Sequence, residues 1–212
     1  MDKSLSAVKV YDKIAEKYTE IFFKDFSDKT ELNLFLSYLP HGAKILDVGC
    51  GPGNITQYFL QKGFDCEGID LSQGMIKMAK KRVPEGNFKV ADLRKLDYPE
   101  NSFDALIAAY SFMHIPQQDT RKTLKGFKRI LKPRGIFFLI VKEGKGERFL
   151  KEPLDSSEKC YVKLWQIPEA LRLLRDLHFD ILYEGRGKSI TKGELRYDKI
   201  FILARNRKGE TI

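Results

Sequence analysis

Asp47, Gly49, Gly51 and Gly53 occupy alternate positions in the stretch KILDVGCGPGNITQYF, which begins at Lys44. An acid closes an apolar run, three glycines make room for a tight turn, and a helix-like segment follows. Glycines so placed let the backbone approach a ligand and adopt dihedrals closed to other residues. The first N–H groups of the following helix have no intrahelical partner. Two further acids recur in the same setting: Asp70 ends the run 66–69 in GIDLSQGMIKMAKKR, and Asp92 follows the run 88–91 in FKVADLRKL. A carboxylate at a strand end has lone pairs enough to accept from two hydroxyls at once. Three acids after three successive runs, with a glycine turn after the first, form a pattern that scattered surface acids rarely make. Proton transfer has two candidates, His114 past the fourth apolar run and Glu143 past the fifth. For each, a structural or solvent-facing role is the plainer reading.

The elements that must position these residues alternate between two hydrophobic periods. Apolar residues three or four apart predict helices over 7–26 and 32–39, which together form a helical N-terminal arm. From Lys44 the pattern changes to short runs at 45–48, 66–69, 88–91, 105–109 and 136–141, separated by helical segments near 55–61, 74–83 and 120–131. Strands apolar on both faces and joined by helices mean a parallel α/β sheet. One more helix near 168–177 and strands near 179–183 and 200–204 complete the chain. The return between the last two is too short for a helical crossover, so it predicts a hairpin with the last strand antiparallel to its neighbours. The segment between Glu143 and Trp165 reads as a loop.

Composition bounds the rest. With 212 residues and 42% hydrophobic content, one core and one domain over 1–212 are expected, divided into an arm (1–40), a ligand-binding core (41–145) and a C-terminal part (146–212). No signal core opens the sequence and no run is long enough to cross a bilayer, so a cytoplasmic protein without membrane contact is expected. Cys50, Cys66 and Cys160 are odd in number and form no C-x-x-C pair, which argues for reduced thiols, against disulfides and against a metal site. The net charge of +9 could serve nucleic acid. Its spread along the chain, with Arg121, Lys125, Lys128 and Lys132 on the solvent spacing of one helix, points instead to solvated surface. The basic stretch from Arg186 to Lys208 is a weak hint only.

A nicotinamide-binding G-x-G-x-x-G turn would need glycine or alanine where this chain has Asn54. The spacing D-x-G-x-G-x-G in ILDVGCGPGNIT resembles instead the signature of class I S-adenosylmethionine-dependent methyltransferases, and the resemblance holds over residues 44–142. It implies a Rossmann-like, doubly wound, seven-stranded mixed sheet, with S-adenosylmethionine as cofactor and S-adenosylhomocysteine as product. It further implies that Asp47 holds the turn and the methionine amino group, that the backbone of Gly49, Cys50 and Gly51 lies against the ligand's middle, and that Asp70 takes the ribose hydroxyls. Leu71 and Met75 would flank the adenine, Asp92 would accept from its exocyclic amine, and the Leu93 backbone would face a ring nitrogen. Ala109 would pass near the methionine end, with Tyr18 of the arm at the mouth. Met75 suits a core-facing helix position equally, and Tyr18, seven residues from Tyr11 on the apolar stripe, suits plain packing.

In such a family the methyl group is already activated, so the protein aligns a nucleophile and excludes water. A base is needed only where the acceptor binds protonated, and His114 is the candidate, as base or orienting donor. No Asn-Pro-Pro-Tyr stretch follows the fourth strand and no extra RNA-binding domain is present. The small-molecule branch, similar to quinone-biosynthesis-type members, is therefore expected, with an acceptor pocket built from 110–116, 143–165 and 185–197. The alternatives are an RNA-directed methyltransferase using the basic surface and a noncatalytic S-adenosylmethionine-binding protein. Neither the acceptor nor the oligomeric state is legible.

Overall fold

Two hydrophobic stripes open the chain as helices α1 (Ser4–Phe22) and α2 (Lys29–Ser37), in a computed structural model that describes residues 2–208. Met1 and residues 209–212 of the expected domain lie outside the described residues. The first helix stops earlier than its apolar stripe predicts. The Asp25 carboxylate accepts from the Ser27 N–H at 2.9 Å, an Asx turn that competes with helix at this point. Phe26, no longer helical, packs its ring on Tyr58.

Strand and helix then alternate: β1 (Lys44–Val48), α3 (Asn54–Gln61), β2 (Asp65–Asp70), α4 (Gln73–Arg82), β3 (Asn87–Val90), β4 (Phe103–Ala109), α5 (Gln117–Ile130) and β5 (Leu131–Lys142). A hairpin follows, β6 (Gly146–Glu152) and β7 (Asp155–Leu164), then α6 (Ile167–Asp176), β8 (Phe179–Gly187) and β9 (Lys199–Asn206). The main sheet has seven strands in the order β3-β2-β1-β4-β5-β9-β8. The strands from β1 to β5 pair in parallel, while β9 runs antiparallel to both β5 and β8. The doubly wound sheet with an antiparallel last strand and a hairpin return is as the sequence predicts.

Sheet faces are covered on both sides, which is why the strands are apolar throughout. Phe127 of α5, Leu171 and Leu174 of α6, and Trp165 pack on one face, while Leu32 and Phe35 of α2 and Phe59 of α3 pack on the other. Phe35, Phe59 and Phe127 are fully buried, each stabilising the fold by roughly 1.5–3 kcal/mol over leaving it exposed.

The segment read as a loop between Glu143 and Trp165 is the β6–β7 hairpin, turned at Pro153 and Leu154. Its outward face carries Lys, Arg and Glu, and the resulting charge hides the period-two alternation. Phe149 opposite Tyr161, ring centroids 5.9 Å apart, pins the register.

Candidate active site

The order of the sheet reverses at β1, which pairs with β2 on one side and β4 on the other. Ligands bind at the carboxyl ends of strands at such a switch. Two cavities lie there, meeting under α1 and sharing Tyr11, Tyr18, Gly49, Gly51, Ala109 and Tyr110 as walls. One contains Asp70, Leu71, Met75, Asp92 and Leu93, and the other contains Asp47 and Cys50. They are called here the Asp70 cavity and the Asp47 cavity.

The glycine turn is built for close approach. Gly49 has φ +78°, and a Cβ on it would lie 2.1 Å from the Ser111 Cβ, so the turn and the start of the segment after β4 could not both keep their places with a side chain there. Gly51 also has positive φ, +54°, but a Cβ on it would meet no protein atom within 4 Å. Its open side therefore belongs to the cavities. Asp70 is tied to this turn: one oxygen accepts from Gly51 N–H at 2.9 Å and the other from Ser72 N–H at 2.9 Å. Each oxygen keeps a lone pair, so the carboxylate still has capacity for two hydroxyl donors.

Asp47 is 1% exposed and accepts from the Thr56 hydroxyl at 2.8 Å. Burial raises its carboxyl to about 7, against the lowering effect of that hydrogen bond. A cation brought beside it would be strongly favoured, because it would restore the ionised form.

Asp92 lies in the Asp70 cavity, but its carboxylate is held by Arg94. The guanidinium donates from Nε at 3.0 Å to each oxygen and from Nη2 at 2.7 Å, and the Arg94 backbone N–H adds a further bond. Arg94 also reaches Asp2 at 2.7 Å. An adenine amine at Asp92 would share an oxygen with this cation.

The arm roofs both cavities through several anchors. Asp12 accepts from the Ser72 hydroxyl at 2.6 Å and from Gly74 N–H at 2.9 Å, Lys17 donates to the Leu154 carbonyl at 2.7 Å, and the Ser6 hydroxyl accepts from Tyr161 N–H at 2.9 Å. Tyr18 stands between the cavities, its ring 5.6 Å edge-on from Tyr11. Met75 is buried, packs near Ala15 of the arm and also lines the Asp70 cavity, so its two sequence readings coexist.

His114 lines the Asp70 cavity and sits beside Tyr11. Its Nδ1 is 2.8 Å from the Tyr161 carbonyl oxygen, which only accepts, so Nδ1 carries the proton. Nε2 is then the acceptor, 3.4 Å from the Tyr11 hydroxyl. Burial lowers the imidazole's pKa, and the ring is neutral. These contacts tie the ring to Tyr11 and to the hairpin. Glu143 pairs with Arg186 at 3.0 Å and lines neither cavity.

The segments 110–116, 143–165 and 185–197 expected to build the acceptor pocket all reach the Asp47 cavity, through Tyr110, Glu152 and Glu194, whereas Asp28, Lys142 and Lys199, which also line it, were missed by sequence reasoning. Tyr110, at the end of β4, has φ +58°, a conformation that costs a non-glycine residue roughly 1–2 kcal/mol. Its N–H bonds the Ile140 carbonyl at 2.8 Å and its hydroxyl donates to Asp28 at 2.5 Å, which holds it there. Lys142 and Lys199 approach its ring at 5.2 and 5.7 Å. Both lysines are 3% exposed and paired, Lys142 with Glu194 and Lys199 with Asp28, at 2.7 and 2.8 Å. Glu152, from the end of β6, is also in this wall. No spacing rule marks these positions, because each comes from a different element.

Strand order, the single antiparallel strand and paired cavities at the β1/β4 switch define a Rossmann-like domain of the methyltransferase kind. A family model for a methyltransferase domain matches residues 45–135. A demethylmenaquinone methyltransferase of Thermotoga maritima is 32% identical over 142 residues, covering 63% of this chain and 60% of that protein. The 1,6-didemethyltoxoflavin-N1-methyltransferase of Burkholderia thailandensis, solved with 1,6-didemethyltoxoflavin and S-adenosylhomocysteine, superposes with a TM-score of 0.75 at 20% identity, covering 95% of this chain and 88% of that one. A [4+2]-cyclase superposes with a TM-score of 0.76 at 18% identity over 98% of each chain. The last two likenesses concern the fold. The chain spans about half the length of the curated relatives it matches. Residues 45–135 are thus similar to a methyltransferase domain, and the fold is the Rossmann-like one of S-adenosylmethionine-dependent methyltransferases.

Proposed function

We propose that the protein transfers a methyl group from S-adenosylmethionine to a small-molecule acceptor. The observation that carries this reading is the pair of adjoining cavities, one with the Asp70 carboxylate, whose oxygens keep free lone pairs, and the other with the buried Asp47, sharing the walls Tyr11, Tyr18, Gly49, Gly51, Ala109 and Tyr110.

The residues present fit the cofactor. Asp70 has two free lone pairs at a fixed orientation for the ribose hydroxyls, and Leu71 and Met75 offer apolar walls for the adenine. Asp47 would hold the methionine ammonium, and the backbone of Gly49, Cys50 and Gly51, together with Ala109, would bound the chain between the two ends. When bound, S-adenosylmethionine supplies a methyl group on a cationic sulfur. The protein's own part is to orient an acceptor in the Asp47 cavity and to exclude water, with Tyr11, Tyr18 and Phe22 of the arm closing the space. A roof made by α1 suits a small acceptor better than a polymer strand. The methyltransferase names of the quinone- and toxoflavin-acting relatives point to the same branch.

The test is calorimetric binding of S-adenosylmethionine followed by exposure of the loaded protein to separated small-molecule and RNA fractions of a cell extract with methyl-labelled cofactor. Label in small molecules is the expected result. Label confined to nuclease-sensitive material would transfer the reading to an RNA-directed enzyme, and tight binding with no label in either fraction would leave a noncatalytic binder.

A further inference from the structure

Five carboxylates line the Asp47 cavity, and four of them are partnered. Asp28 and Glu194 have Lys199 and Lys142, Asp25 accepts from the Thr191 hydroxyl at 2.7 Å, and Asp47 accepts from Thr56 at 2.8 Å. Glu152 differs. It is 3% exposed, accepts one long hydrogen bond from Leu154 N–H at 3.4 Å, and has no cation beside it among the described residues. The register of β6 against β7 shifts between Lys151 and Glu152. Lys151 lies exposed, while Glu152 contributes to the cavity wall.

The groups facing it give it no counter-charge. From α1 come the Tyr11 and Tyr18 phenols, both kept protonated first by burial and next by the charge of Glu152. From β7 come Asp155 and Cys160, an acid and a neutral thiol. The nearby cations of α1 are occupied, Lys13 by Asp155 at 2.6 Å and Lys17 by the Leu154 carbonyl at 2.7 Å. A buried carboxylate without a partner is costly. Beside the rings of Tyr11, Tyr18 and Phe22, it is the combination that recognises an ammonium group, by charge and by the ring faces.

We propose that Glu152 is the catalytic residue that binds and deprotonates the methyl acceptor, and that the acceptor is a primary or secondary amine that arrives as its ammonium. This rests on the reading of the protein as a small-molecule methyltransferase. A Glu152 oxygen takes one N–H proton, and the nitrogen lone pair so freed forms the new bond to the methyl carbon. The electron pair of the breaking carbon–sulfur bond stays on sulfur, which becomes a neutral thioether. The methylated nitrogen carries the positive charge, and the proton on Glu152 passes to solvent as the product leaves. Burial raises the Glu152 carboxyl to about 7, which suits exchange of a proton near neutral pH.

Two measurements test this, the first without any turnover. Protein carrying isotope-labelled glutamate carboxyl carbons is titrated by NMR beside Glu152→Gln, with Glu152→Asp as the reference should the amide variant not fold. The resonance missing from the variant should titrate near 7, and titration near the ordinary 4.5 would overturn the assignment. In the second, trideuteromethyl-labelled S-adenosylmethionine and a small-molecule extract are given to wild type and variants, and the products are located by mass spectrometry. Label on an amine nitrogen is expected, reduced by ~10²-fold or more in Glu152→Gln and partly restored in Glu152→Asp, with S-adenosylhomocysteine affinity unchanged. Label on oxygen or carbon would overturn the amine assignment, and equal transfer by Glu152→Gln would overturn the role of the carboxylate. No labelled small molecule, despite cofactor binding, would overturn the small-molecule reading beneath both.

Discussion

The two cavities under α1 are made of different materials. In the Asp70 cavity the key carboxylate is fixed by main-chain N–H groups of Gly51 and Ser72, within the turn and helix start that adjoin it. The Asp47 cavity is held together by side chains from distant parts of the chain. The Lys199–Asp28 pair spans residues of the last strand and the first loop, and Lys142–Glu194 joins β5 to the return before β9. Main-chain donors do not change with sequence, so the first cavity is committed to one kind of ligand. Apart from the glycine turn that both share, the second is walled mostly by replaceable side chains, and its chemistry is set residue by residue.

That contrast is open to breakage by substitution, beginning with the largest effect. Lys199→Met removes the buried cation and leaves the partly buried Asp28 carboxylate without it, and should cost ~3 kcal/mol of stability in urea unfolding at neutral pH. It should hardly alter cofactor affinity in the fraction that stays folded. A large loss of S-adenosylmethionine binding by folded Lys199→Met would show that the two cavities are not separately built.

Asp70→Ala should do the reverse, weakening S-adenosylmethionine binding by ~1–3 kcal/mol in calorimetry, with a smaller effect on unfolding. Undiminished affinity would remove the ribose from Asp70.

A pH series sharpens the comparison further. Asp47 and Glu152 both have carboxyls raised to about 7 in the fold, from ordinary values of 3.8 and 4.5. Between those limits these two groups bind more protons in the fold than in the unfolded chain, so their contribution to stability is full at the acid end and is lost as pH rises through 7. His114, whose pKa is lowered by burial from 6.5, works in the opposite sense and costs stability as pH drops below that value. Glu152→Gln removes the Glu152 contribution and leaves those of Asp47 and Asp70, which burial also raises. Its unfolding temperature should gain on wild type as pH rises toward about 8, and not at about pH 4. Parallel curves for the two proteins would place the Glu152 carboxyl at its ordinary value.

The smallest effect is expected from His114→Phe, which keeps a ring but orphans the Tyr161 carbonyl. Stability should drop by ~1 kcal/mol with methyl transfer nearly intact. A fall in turnover of ~10²-fold or more would instead return the proton-transfer role to His114.

What was legible in the sequence follows the same division. Asp47, Gly49, Gly51, Asp70 and Asp92 sit at strand ends or in a turn, where local hydrophobic period and glycine spacing place a residue without knowledge of the rest of the fold. The antiparallel β9 was legible for a related reason, since a return of this length leaves no room for a crossover. Asp28, Lys142 and Lys199 were not, because only the assembled sheet brings their elements to one place, and Glu152 and Glu194 were legible only as members of the segments 143–165 and 185–197. The β6–β7 hairpin hid behind its charged outer face, and with it the setting of Glu152. The bond from Arg94 to Asp2 was beyond reach as well, since Asp2 lies at the far end of the arm.

Tyr11 and Tyr18 are walls of both cavities and belong to one helix. A ligand that settles α1 over either cavity therefore alters the free energy of filling the other. Thermodynamic linkage makes that influence mutual: whatever factor the cofactor adds to the acceptor's affinity, the acceptor returns to the cofactor. Binding order would then be a matter of kinetics alone, while the product pair, held by the same helix, would loosen together once either one departs.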